Sequence, residues 1–135
     1  MNLATRFFYF QYKHHRIGRI SAKLMRVLFS CDITTVQRMG DNNSLEHNGL
    51  GIVISRMTII GSNCKIYQHV TIGAGRGGYP IIGNNVTIYP NCTICGKIII
   101  GDNVIIGANS FVNKDIPSNC VYGGVPARLI KYRKQ

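Results

Sequence analysis

Apolar residues recur along this chain at every sixth position. Ile33, Met39 and Leu45 keep the step, Ile54, Ile60, Ile66 and Ile72 resume it, and Ile82, Ile88, Ile94, Ile100, Ile106 and Val112 carry it on. Two gaps widen it, to nine residues between Leu45 and Ile54 and to ten between Ile72 and Ile82. Neither an α-helix, with a period near 3.6, nor a strand, with a period of two, produces this spacing. The polar positions are phased with the apolar ones. Gly40, Gly61, Gly73, Gly83, Gly101 and Gly107 directly follow a marker, and Asn42, Asn63, Asn85, Asn91, Asn103 and Asn109 sit three after one. Glycine and asparagine tolerate left-handed backbone angles, so each hexad predicts a short strand closed by a tight corner. Cys64, Val70, Val86, Cys92, Ile98 and Val104, four after a marker, supply a second set of inward positions.

Short strands and corners at this period predict an all-β solenoid, a parallel β-helix of hexapeptide repeats. Three hexads close one triangular coil, and coils stack at about 4.8 Å, setting Ile82 beneath Ile100 and Ile88 beneath Ile106. A β-sandwich would need strands of irregular length with alternating polarity, which the sequence lacks. Residues 31–127 form the solenoid, with the glycine-rich interruption "GAGRGGYPI" projecting as a loop over 73–81. Residues 1–30 are free of the pattern and read as a short helical cap, which covers the open strand edges a solenoid end presents. The same basic, aromatic segment also suits a membrane surface, so peripheral membrane contact is an alternative reading. Residues 128–135 read as a basic C-terminal tail.

Charge narrows the partners without choosing one. Sixteen Lys and Arg against five Asp and Glu, with a pI near 9.8, call for an anionic partner: nucleic acid, membrane headgroups or a phosphorylated cofactor. No run of eighteen apolar residues occurs, and "MNLATRFFYFQYKHHR" lacks an uninterrupted signal-peptide core, so the expected compartment is cytoplasmic. The five cysteines have no disulfide-scaffold spacing, in keeping with a reducing compartment. Cys92 and Cys95 make a lone CxxC, but Cys92 falls on an inward position and reads as a small core residue; no metal site is expected. Of the four histidines, His14 and His15 lie in the basic N-terminal segment, and His69 occupies a corner position that carries Asn in neighbouring hexads. His47, in "LEHNGLG", sits at the first break in the register, where extra residues push the backbone off the prism and make a ledge. The residues alone leave His47 open between a corner role and a catalytic one.

The register, "LEHNGLGIVIS" and the ending "YGGVPARLIK" together resemble the hexapeptide-repeat acyltransferases, within them the serine acetyltransferase-like branch and its polysaccharide-associated relatives. The resemblance implies a left-handed β-helix, usually a homotrimer with the active site between subunits, that moves an acetyl group from acetyl-CoA to a hydroxyl. Such transfer needs a base to take the hydroxyl proton, and imidazole titrates in the useful range. By the resemblance His47 is that base, Asp32 the carboxylate that orients it, and Glu46 an acidic contact to the acceptor; an exposed corner charge is the plainer alternative for Glu46. Residues 27–32 and 45–50 are expected on one prism face, a coil apart, within hydrogen-bonding reach. Backbone N–H groups at Gly73, Ala74 and Gly75 are candidates to hold the thioester oxygen as negative charge develops, in a loop that completes a neighbouring subunit's site. Ala108 and Asn109 resemble the small positions lining the pantetheine channel. Arg128 and Lys131, ahead of Arg133 and Lys134, match the ending that follows the nucleotide.

The sequence departs from serine acetyltransferases in the loop and at the N-terminus. Those enzymes carry an Arg-His pair before the loop proline, where this chain has Gly78 and Tyr79, and Tyr79 becomes an acceptor-contact candidate. Their long N-terminal helical domain shrinks here to about thirty residues. The expected acceptor is therefore a sugar hydroxyl of a surface-polysaccharide precursor, with serine as the alternative and a non-catalytic scaffold as a second. Metal hydration needs three convergent histidines, and only His47 and His69 lie in the repeats. Nucleic-acid binding lacks an aromatic-and-basic stacking face beyond the N-terminal segment.

Overall fold

The computed structural model describes residues 2–13, 18–33 and 38–134. His14 and His15 fall outside them. Two helices, α1 (Leu3–Lys13) and α2 (Gly18–Phe29), precede short strands: β1 (Asp32–Ile33), β2 (Ser44–Leu45), β3 (Val53–Ile54), β4 (Ile59–Ile60), β5 (Lys65–Ile66) and β6 (Thr71–Gly73). After the glycine-rich loop come β7 (Ile81–Ile82), β8 (Thr87–Ile88), β9 (Thr93–Cys95), β10 (Ile99–Ile100), β11 (Ile105–Ile106) and β12 (Phe111–Val112). The chain ends in β13 (Cys120–Gly124) and β14 (Ala127–Tyr132).

The strands stack into three sheets that form the sides of a prism. The first holds β1, β3, β6, β9 and β12, the second β4, β7 and β10, and the third β2, β5, β8, β11, β13 and β14. The chain visits first, second and third side in turn, and coil-to-coil pairing is parallel: Ile82 stands between Ile60 and Ile100, Ile88 between Ile66 and Ile106. Every apolar marker named above is buried, as is each of the second inward positions. Burial of each isoleucine is worth about 1.5–3 kcal/mol, so the stack is the main stabilising feature. The corner asparagines Asn42, Asn63, Asn85, Asn91, Asn103 and Asn109 all have positive φ between 55° and 61°, and His69 shares their geometry at 57°.

The helices close the lower end. Thr5 Oγ1 accepts a hydrogen bond from the Leu45 N–H at 3.1 Å, and Tyr9 Oη accepts one from the Asn43 N–H at 2.5 Å. These side chains satisfy backbone donors on and just before β2, an edge strand. Met25 of α2 packs into the core and Phe29 lies half-buried against it. Two expectations change here. Residues 27–29 end a helix and are not part of the prism, so of the stretch 27–32 only Asp32 joins a side, in β1. The basic ending is no tail: β14 folds back antiparallel on β13, pairing Arg128 with Gly123 and Lys131 with Val121. β13 offers an edge on which "ARLIKY" pairs as an exposed strand, with only Ala127 partly buried.

Candidate active site

The corner where the third side turns into the first carries most of the candidate residues. On the lowest coil the insertion forms a tight turn over Glu46–Gly49, with left-handed angles at His47 (φ 50°), Asn48 (57°) and Gly49 (68°). Consecutive left-handed residues curl the backbone outward, which lifts the exposed His47 imidazole onto a ledge. Glu46 is pinned beside it, its Oε1 accepting from Ser44 Oγ at 2.8 Å. One coil up, Tyr67 lies against His47 with ring centroids 6.1 Å apart, and Tyr89 stacks on Tyr67 at 5.0 Å and 26°. His69 lies over Gly51: a β-carbon there would meet its Nδ1 at 2.3 Å, so only glycine leaves the imidazole room.

Above them Ala108 and Asn109 occupy the same corner, Asn109 donating to the Pro90 carbonyl at 2.9 Å. The β13–β14 hairpin tops it, with the Gly124 N–H donating to Ser110 Oγ at 3.2 Å and Arg128 opposite Gly123. His47, Ala108 and Arg128 therefore share one edge of the prism. Three coil steps separate His47 from Ala108, about 14 Å, a run that an extended pantetheine arm spans. Lys131, paired with Val121, sits toward the opposite end of the same hairpin. Arg133 lies there too, its N–H donating to the Asn119 carbonyl.

Asp32 departs from the expected arrangement. It lies beneath Val53 at the start of the first side, and its Oδ2 is 2.5 Å from Nη2 of Arg26 on α2. Among the described residues no hydrogen bond or ion pair joins Asp32 to His47. The guanidinium offers a permanent charge and forked donors, in a pair that is largely exposed and therefore weakly held.

The glycine-rich loop lies at a different corner, where the first side turns into the second, because it connects β6 to β7. Gly73 continues β6 opposite Cys95, and the Gly75 N–H already donates to the Gly78 carbonyl at 3.0 Å, which removes it as a free oxyanion donor. Ala74 is exposed, as is Tyr79 at the loop's far end. Within one chain this loop and His47 stand on separate edges of the prism. Cys31, Cys64, Cys92 and Cys120 are buried free thiols, and burial raises each above its ordinary value. No group of three or more His, Cys, Asp or Glu that could hold a metal ion occurs among the described residues.

Sequence reasoning missed three features. Tyr67 and Tyr89 both directly follow a marker, where other hexads place glycine, so alignment by coil would have paired them. The seat of His69 over Gly51 needs the same alignment. Arg26 gives no periodic signal at all.

Comparison with known proteins agrees with the fold. Residues 79–114 match the family model described as bacterial transferase hexapeptide (six repeats). A serine acetyltransferase of Synechococcus elongatus is 40% identical over 119 residues, which cover 84% of this chain and 48% of the relative. The structure of Neisseria gonorrhoeae serine acetyltransferase in complex with serine superposes with a TM-score of 0.77 at 28% identity, over 95% of this chain and 55% of that one. That of Brucella abortus serine acetyltransferase in complex with coenzyme A gives 0.78 at 25% identity, over 97% and 56%. The solenoid is thus a left-handed β-helix of hexapeptide repeats. Within the hexapeptide transferases, the chain belongs with the serine acetyltransferase-like acyltransferases. It spans about half the length of the curated relatives it matches.

Proposed function

We propose that this chain is an acetyl-CoA-dependent O-acetyltransferase in which His47 is the general base. The observation that carries the reading is the shared edge: an accessible imidazole at its foot, a tyrosine pair beside it, Ala108 and Asn109 three coils up, and a cation at its top. The thiol end of the coenzyme lies at the ledge, the pantetheine climbs past Ala108 and Asn109, and Arg128 meets the phosphates, with Lys131 farther along the hairpin. His47 takes the acceptor hydroxyl proton as the oxygen attacks the thioester carbonyl. The tetrahedral intermediate then collapses, the C–S bond breaks, and the imidazolium returns the proton to the departing thiolate. Asp32 stabilises that imidazolium once it turns from Arg26, and Glu46, held by Ser44, meets the acceptor.

Serine is the acceptor that the relatives' names support best, ahead of a sugar hydroxyl. A second reading keeps the sugar, because the Tyr67–Tyr89 pair offers an aromatic face beside His47 and the loop has Gly78 and Tyr79 before Pro80.

The corner geometry also supports an assembly. The loop bearing Gly73, Ala74 and Tyr79 reaches a His47 ledge only if it comes from another copy, which supports a homotrimer with sites between subunits. An outward row of Ile59, Ile81 and Ile99 on the second side supports self-association as well. Thiol release from acetyl-CoA, screened with serine, simple sugars and nucleotide sugars, tests the proposal. His47→Ala is expected to lower turnover at least a hundredfold with the fold intact; undiminished turnover removes His47 from the mechanism, and no turnover with any hydroxyl favours a scaffold.

A further inference from the structure

We infer that α2 is a docking helix for an anionic lipid surface. Its role as a cap accounts for one face alone. Met25 and Phe29 point into the core, whereas Leu24, Val27 and Leu28, spaced i, i+3, i+4, form a separate stripe on the outside. They are 40%, 80% and 56% exposed, high values for three aliphatic side chains on one helical face.

The charge of the segment narrows the partner. Residues 1–30 carry six Lys and Arg and no Asp or Glu, and of the cations whose side chains are described Arg6, Lys23 and Arg26 are exposed, Arg26 in an ion pair with Asp32. A second copy of this surface would bring like charges together, opposing association through it. A polynucleotide would use the cations but leave Leu24, Val27 and Leu28 in water. A bilayer with anionic headgroups satisfies both at once, burying the aliphatics at the acyl boundary while the cations meet the headgroups. No helix among the described residues is long and apolar enough to cross a membrane, so this helix would lie in the interface plane. The helix sits below the His47 ledge, at the opposite end of the prism from the β13–β14 hairpin. Docking therefore leaves the edge proposed for coenzyme A facing solution.

The test is co-sedimentation of the full chain with phosphatidylcholine vesicles, with and without phosphatidylglycerol. Binding is expected only to the anionic vesicles, and it weakens as salt rises. The variant Leu24→Gln, Val27→Gln, Leu28→Gln keeps good helix formers and every cation, and should lose at least tenfold in partitioning with circular dichroism and thiol release unchanged. If that variant does not fold, Val27→Gln alone should lose at least threefold. Wild-type protein that stays in the supernatant with anionic vesicles overturns the inference, as does a variant that partitions equally well. Loss of oligomer mass in the variant, read by sedimentation equilibrium, also overturns it, because a second copy then covers the stripe.

Discussion

Ile81 and Ile82 are neighbours in one two-residue strand, yet their substitution should have opposite signatures. Ile82 is 1% exposed and stands in register between Ile60 and Ile100, whereas Ile81 is 44% exposed on the outer face of the same sheet. Removing most of a buried isoleucine loses its transfer free energy and leaves a cavity, typically 2–5 kcal/mol in total. Collapse into that cavity is limited here, because the strands above and below are hydrogen-bonded at a fixed spacing. Ile82→Ala should therefore fall in the upper half of the range, about 3.5–5 kcal/mol. For a chain of this size each kcal/mol moves Tm by about 3–5 °C, so the expected drop is roughly 10–25 °C, at any protein concentration. Ile81→Ala should alter the isolated prism by less than about 1 kcal/mol, and its Tm deficit should depend on concentration if the isoleucine row joins copies. Thermal unfolding followed by circular dichroism at micromolar and near-millimolar protein measures both. An Ile82→Ala loss below about 1.5 kcal/mol, or matching losses for the two variants at every concentration, would refute the reasoning.

Arg26→Gln breaks an exposed ion pair, so stability should change by less than about 1 kcal/mol. Turnover should rise about two- to fivefold as Asp32 becomes free for His47, and steady-state thiol release that falls instead makes Arg26 a structural support. Gly51→Ala forces a side chain into φ +65°, costing about 1–2 kcal/mol, and displaces the His69 ring. Denaturant titration checks this; complete rescue by His69→Ala would assign the loss to the contact and not to backbone strain. Iodoacetamide at pH 8 should label half-buried Cys95 and spare Cys31, Cys64, Cys92 and Cys120 until the chain unfolds, as read by intact mass. Burial, with Asp32 as a lesser cause, pushes the Cys31 thiol up from 9.0 to about 11, so folding favours its neutral form. That contribution is complete below pH 9 and is lost as pH rises toward 11, which chemical denaturation across that range would reveal.

The coil was legible because stacking enforces a strict repeat: a residue that slips by one position turns its side chain outward. The register therefore identified the buried column, and the asparagines marked the corners. His47 could be singled out for the converse reason, that it breaks the repeat. The partner of Asp32 could not, since Arg26 approaches from a helix whose docking is set by packing and carries no phase with the coils. Arg128–Lys131 looked like a solvated tail because basic residues suit an exposed strand equally well. Only the free edge of β13 decides between the two.

The placement of base and loop on different edges has a genetic consequence. In the proposed trimer, a chain lacking His47 and a chain lacking the 73–81 loop would each be inert alone, yet mixed rings would contain interfaces with one intact contribution from each parent. Random exchange of equal amounts leaves about one interface in four whole. Two defective alleles can thus complement one another, while a single allele defective in only one of the two parts leaves each working chain its own whole interface.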